Sequence, residues 1–137
     1  MAEYELRNID SSVPLMRTIH RANGEEICEQ IETDYGNVCV VITGEPVRSG
    51  KPYIVTYHDL GLNYHSQFHS FFNFHDMKPL LGAFTIVNIH APGQEEDALN
   101  LPNNFVYPTM DQLAEQVDSV CKFYGIVDFV AFGVSFF

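Results

Sequence analysis

Tryptophan is absent, basic residues are scarce, and no apolar run is long enough to cross a bilayer. Seven Lys and Arg stand against 18 Asp and Glu, for a formal net charge of −11. Such a chain repels a phosphate backbone, and no basic stripe offsets the charge, so nucleic acid is set aside as a partner. The opening Met-Ala-Glu-Tyr-Glu-Leu has neither a basic n-region nor an apolar h-region, and Ala2 stands where myristoylation requires glycine. A cytoplasmic location is therefore expected, with no transmembrane segment and with peripheral membrane association left open. Cys28, Cys39 and Cys121 are an odd, scattered set without a Cys-x-x-Cys pair. They indicate neither a disulfide framework nor a thiolate zinc site, and are expected to be small core residues.

What remains is enough for one globular domain. A 137-residue chain buries roughly 70% of its unfolded surface when it folds as a single unit. It is 46% hydrophobic and 18% charged, and 11 phenylalanines and seven tyrosines supply the bulk. Residues 1–23 lack steady periodicity and are expected to form a mobile tail, followed by a domain over 24–137. Two β-rich runs surround the turn signal Asp34-Tyr35-Gly36-Asn37, the mark of a hairpin. Three short apolar runs, 53–57, 84–89 and 128–132, have the composition of buried parallel strands. Leu113, Val117, Val120, Cys121 and Tyr124 recur at helical spacing. Thr109 and Gln112 form a capping box before that helix, Asp111 sits in its first turn, and Gly125 follows Lys122 as a stop. Phe68, Phe71 and Phe72 suit a short helix, and Asp76 is placed to cap another whose first turn holds Pro79. The pattern predicts an α/β fold: a β-hairpin followed by βαβαβ, a mostly parallel sheet with flanking helices. Ligands of such sheets bind beyond the carboxyl ends of the strands, which directs attention to the loops after Tyr57, Ile89 and Phe132.

Three constellations there invite chemistry. Residues 57–76 hold four of the six histidines, and His65 and His69, four apart, have the spacing of a zinc pair on a helix. No glutamate lies between them to act as base. A third ligand would have to come from His58, His75, His90 or the run Glu95-Glu96-Asp97, so no metal is assigned and the pair is expected on the wet face of an amphipathic helix. The acidic run itself reads as a solvated part of a long connection, residues 91–108, whose length flags binding, covering or mobility. The final Gly133-Val134-Ser135-Phe136-Phe137 repeats four-fifths of a Gly-x-Ser-x-Gly nucleophile elbow. Its last position is Phe137 instead of a small residue, and every histidine precedes Ser135, whereas the base of this hydrolase class follows its serine.

The segments "KPYIVTYHDLGLNYHSQF", "FNFHDMKPLL", "IHAPGQEEDA" and "YPTMDQLAEQV" together resemble the N-myc downstream-regulated (NDRG) family, a branch of the α/β-hydrolase fold. The likeness runs from about Ile31 to Ala131. Its most specific pieces are residues 56–63, 91–94 and 107–114. It implies the amino-terminal half of an α/β-hydrolase fold, truncated after the fifth core strand, without a working catalytic triad or a cofactor. It also implies cytoplasmic roles in signalling, stress response, differentiation or vesicle traffic, carried out through protein partners. Placed by position, His58 and Gly61 occupy the vestige of an oxyanion-hole loop, where Asp59 replaces a small residue. Ser135 falls at the vestigial nucleophile position, where the family shows glycine, and the closing Val-Ser-Phe-Phe departs from the family's Gly-Ala-Gly.

Two other classes of function remain as alternatives: a small serine esterase acting through Ser135, and an acyl-ligand-binding module built on the loops 57–63 and 91–108. An exposed strand 128–132 would also favour self-association.

Overall fold

The computed structural model describes residues 16–21 and 24–135, with side chains from Ile27 onward. Strands β1 (Met16–Arg21), β2 (Gly24–Thr33) and β3 (Gly36–Gly44) form an antiparallel meander. Strands β4 (Tyr53–Tyr57), β5 (Thr85–Ile89) and β6 (Phe129–Gly133) complete one six-stranded sheet in the order β1-β2-β3-β5-β4-β6. β4 runs parallel to both its neighbours, and β5 meets β3 antiparallel.

The uninterrupted apolar runs of β4 and β5 follow from their place in the middle of the sheet, where both faces are covered. Ile31, Val38, Val40, Val55, Val87 and Ile89 point to one face and pack under Val120, Cys121 and Tyr124 of helix α4 (Met110–Tyr124). Cys28, Cys39, Val41, Ile54 and Ile86 point to the other. There they meet Tyr64, Phe68 and Phe72 from the short helices α1 (Tyr64–Gln67) and α2 (His69–Asn73), with Leu80 and Leu81 of α3 (Pro79–Ala83) beside them. The alternation along β3, Val38 and Val40 against Cys39 and Val41, is the period-two rule applied to a strand with two apolar faces.

Helix α4 forms as its sequence predicts. Thr109 Oγ1 accepts the Gln112 N–H at 3.3 Å and Gln112 Oε1 accepts the Thr109 N–H at 2.9 Å, closing the capping box. Gly125 ends the helix at φ 69°, a left-handed cap, and the Ile126 N–H reaches back to the Cys121 carbonyl at 2.8 Å.

Four expectations need correction. Residues 16–21, placed in the tail, form a strand on the rim of the sheet, held by backbone pairing to β2 from Met16↔Glu29 to Arg21↔Gly24. A rim strand needs no side-chain alternation to pair, so periodicity did not reveal it; the rest of the expected tail lies outside the described residues. Asp76 does not cap a helix: α3 starts later, with Lys78 as its N-cap, no side-chain bond to it, and Pro79 in the first turn. The helix expected around Phe68 is two short ones meeting at that residue. Cys28 and Cys39 are buried core residues as expected, yet they are also joined as a disulfide between β2 and β3, with Cα atoms 5.6 Å apart. Strand register made them neighbours across 11 residues, which spacing alone does not disclose.

Candidate functional site

Parallel register sets Tyr57 beside Ile89 on one side and Gly133 on the other, so the loops after β4, β5 and β6 leave the sheet along one edge. His58 and His90 begin the first two loops, and both are buried. His58 Nδ1 donates to the Asp59 carbonyl at 2.8 Å, while its Nε2 accepts the Ala91 N–H at 2.9 Å. His90 repeats the arrangement, with Nδ1 donating to the Cys39 carbonyl at 3.0 Å and Nε2 accepting the Tyr64 N–H at 3.1 Å. Carbonyls only accept and amides only donate, so both rings are neutral with the proton on Nδ1. Burial pushes the His58 pKa down, outweighing the Asp59 backbone bond and the Asp59 and Glu95 charges that act in the opposite direction. With ring centroids 5.7 Å apart, the two histidines pin loop to loop and loop to helix.

The loop after β4 turns its donors inward. The Asp59 N–H donates to Gln67 Oε1 at 2.6 Å, the Leu60 N–H to Asp59 Oδ1 at 2.8 Å, and the Leu62 N–H to the Asp59 carbonyl at 3.1 Å. Gly61, at φ 76°, makes the turn and stays exposed. An oxyanion hole needs backbone N–H groups aimed at an open position. In this loop Asp59, the residue that replaces a small one, takes up the Leu60 N–H with its own carboxylate.

Ser135 lies two residues beyond β6 and is exposed. His58 begins the loop after the adjacent strand, with both ring nitrogens committed to the backbone. The His65 and His69 rings meet tilted, with centroids 5.0 Å apart, and both are half-buried rather than on a fully wet face; His65 Nδ1 is buried without a hydrogen-bond partner. Among the described residues, no three His, Cys, Asp or Glu come close enough to hold a metal ion. The acidic run is less solvated than expected: Glu95 and Glu96 are half-buried, and Glu95 Oε1 accepts from Gln30 Nε2 at 3.4 Å, while Asp97 is exposed. The long connection 91–108 covers the hairpin turn, its Phe105 ring resting on Gly36.

An apolar groove of about 330 Å³ opens between α4 and the β6 side of the sheet, bounded by Leu113, Val117, Tyr57, Phe129 and Ala131. Tyr57 stacks on His58, and its hydroxyl is buried without a hydrogen-bond partner. That burial, followed by the nearby Tyr107, raises its pKa and keeps the phenol neutral.

Gln116 was missed. It is almost fully buried in the middle of α4, and its Nε2 donates to Thr33 Oγ1 at 2.9 Å, tying the helix to the hairpin turn. Its place one position before Val117 on the apolar stripe was the only available signal, and a polar side chain there reads as solvent-facing.

The profile of the Ndr family matches residues 28–136. The chain belongs to the Ndr family. NDRG4-A of Xenopus laevis is 44% identical over 104 residues, a stretch covering 76% of this chain and 26% of that protein. NDRG1 of Xenopus tropicalis is 41% identical over 104 residues, with the same coverage. NDRG3 of Xenopus tropicalis is 41% identical over 112 residues, covering 82% of this chain and 28% of its own. This Ndr chain thus spans about a quarter of the length of the curated relatives it matches. A solved hydrolase from Pseudomonas aeruginosa PA01 superposes with a TM-score of 0.52 at 14% identity, over 88% of this chain and 36% of that one. The Ndr chain therefore carries part of an α/β-hydrolase-like fold. No described helix is long and apolar enough to cross a membrane.

Proposed function

We propose that this Ndr chain acts without catalysis, as a cytoplasmic protein-binding component of signalling, stress response, differentiation or vesicle traffic. The observation that carries this reading is the loop after β4, where Asp59, Leu60 and Leu62 spend their N–H groups on Gln67 and on Asp59 itself. An acyl-transfer site needs such donors free for the developing oxyanion, where losing one costs about 10²- to 10³-fold in rate. The engagement of both His58 nitrogens points the same way, because a general base must offer a free lone pair to the nucleophile.

A chromogenic-ester assay tests the reading. Turnover is expected to stay at the buffer blank, and Ser135→Ala is expected to leave it there. Serine-dependent hydrolysis, abolished by Ser135→Ala, would overturn the proposal in favour of a small esterase.

A further inference from the structure

The bond between Cys28 and Cys39 spans a hairpin that its own backbone holds closed. From Thr33↔Gly36 to Cys28↔Val41 the two strands keep an unbroken antiparallel register, and Thr33 Oγ1 donates to the Gly36 carbonyl across the turn. A disulfide stabilises chiefly by restraining segments that the unfolded chain lets drift apart. Here the sequence separation is only 11, and the ladder does the restraining. What the bond does hold is its surroundings. The Cys39 carbonyl accepts two bonds from His90, the backbone N–H at 2.9 Å and Nδ1 at 3.0 Å, and the same ring accepts the Tyr64 N–H at 3.1 Å. Gln30, opposite Cys39 in the ladder, sets its Nε2 3.7 Å from Cys28 Sγ and donates from it to Glu95 Oε1 at 3.4 Å. Each half of the disulfide thus lies one contact from the loop after β5.

We propose that Cys28–Cys39 is a thiol-exchange site opened by a low-molecular-weight dithiol, and that opening it loosens the loop after β5 and the start of α1 while the sheet stays folded. One thiolate of the dithiol attacks Cys28 Sγ from the side that Gln30 covers, forming a mixed disulfide and releasing the Cys39 thiolate, which takes up a proton. The second thiol then displaces Cys28 and closes a cyclic disulfide, so two electrons and two protons pass to the protein. Gln30 guards the sulfur loosely, because its contacts at 3.4 and 3.7 Å are longer than an ordinary hydrogen bond. Packing carries the change outward. Bonded sulfurs stand about 2 Å apart, whereas two thiols need about 3.5 Å or more. Cys28 is 0% and Cys39 1% exposed, packed with Tyr64, Phe68 and Phe72, and a close-packed face has no slack for that difference. The displaced neighbours are Gln30 and Tyr64, and through them Glu95 and His90. Cys121 takes no part, since it belongs to α4 on the opposite face of the sheet.

Thiol titration of the whole chain with and without dithiothreitol, paired with hydrogen exchange, tests the proposal. Of the three cysteines, one is expected to titrate in the oxidised chain and all three after reduction, returning to one with the oxidised reagent. Exchange at the amides of Tyr64, Ala91 and Gln94 is expected to rise about tenfold or more on reduction, with circular dichroism and the protection of β4 and β5 unchanged. Gln30→Ala is expected to speed reduction several-fold. The double variant Cys28→Ala/Cys39→Val keeps the face apolar and has no bond to open, so its exchange is expected to ignore dithiothreitol. Three thiols before reduction, a bond that yields only in denaturant, or exchange rising across the sheet instead of in the loop would each overturn the proposal. So would a reduction rate indifferent to Gln30→Ala, or a response to the reagent in the double variant.

Discussion

At the scale of single residues, polar groups buried at the strand ends hold the candidate site together. Thr56 Oγ1 donates to Asn88 Oδ1 at 2.7 Å, and Asn88 Nδ2 donates to the Val41 carbonyl and to Thr43 Oγ1 at 2.9 and 3.1 Å, joining β4, β5 and β3 through one satisfied amide. His58 and His90 perform the same service for the loops. One consequence follows for pH. His58 ordinarily titrates at 6.5, and burial lowers that value in the folded chain. The unfolded state therefore takes up the proton first. Stability from this group is complete above about pH 6.5 and declines as pH falls through the window between 6.5 and the lower folded value. Urea midpoints measured across that window are expected to drop for the wild type and to drop less for His58→Asn, which keeps one donor and one acceptor. The sequence disclosed the cluster of histidines but not their division into two buried pins, the half-buried His65 and His69, and the exposed His75, because burial depends on which loops the sheet edge brings together.

At the scale of elements, two turns require particular residues. Gly44 ends β3 at φ 71°, where a Cβ would stand 2.4 Å from the Phe84 carbonyl oxygen. Left-handed backbone costs an ordinary residue about 1–2 kcal/mol before any clash. Gly44→Ala is thus expected to lower unfolding free energy by about 2 kcal/mol or more, read from urea denaturation. Thr109→Ala removes the side-chain cap of α4, and a loss of about 1 kcal/mol is expected by the same measurement. The two sites differ in legibility. Thr109, Gln112 and Gly125 announce α4 because helix ends are solved locally, within four residues. Gly44 had no such signal, since the backbone that excludes its Cβ belongs to Phe84, forty positions away. Helix α4 is also tied down at distance: Tyr124 Oη donates to Glu29 Oε2 and Tyr35 Oη to Glu115 Oε2, both at 2.6 Å.

At the scale of the whole molecule, burial falls from the middle of the sheet toward β6. The residues of β5 are all buried, as are the inner three of β4, while β6 is mostly exposed. Native-state hydrogen exchange is expected to follow that gradient, slowest in β5 and β4 and fastest among the parallel strands in β6. Equal protection of β6 and β5 would contradict it. The sequence by itself determined the alternation of strands and helices, the caps of α4, the apolar identity of the three parallel strands and membership of the Ndr family. Each of these is written in residues close together along the chain or in motifs kept in order. Only the tertiary structure decided that residues 16–21 pair as a rim strand, that Cys28 meets Cys39, that Gln116 is buried and that the N–H groups after β4 are already spent. Those outcomes depend on strand register and loop approach across tens of residues, where one shifted pairing would exchange buried for exposed and bonded for free.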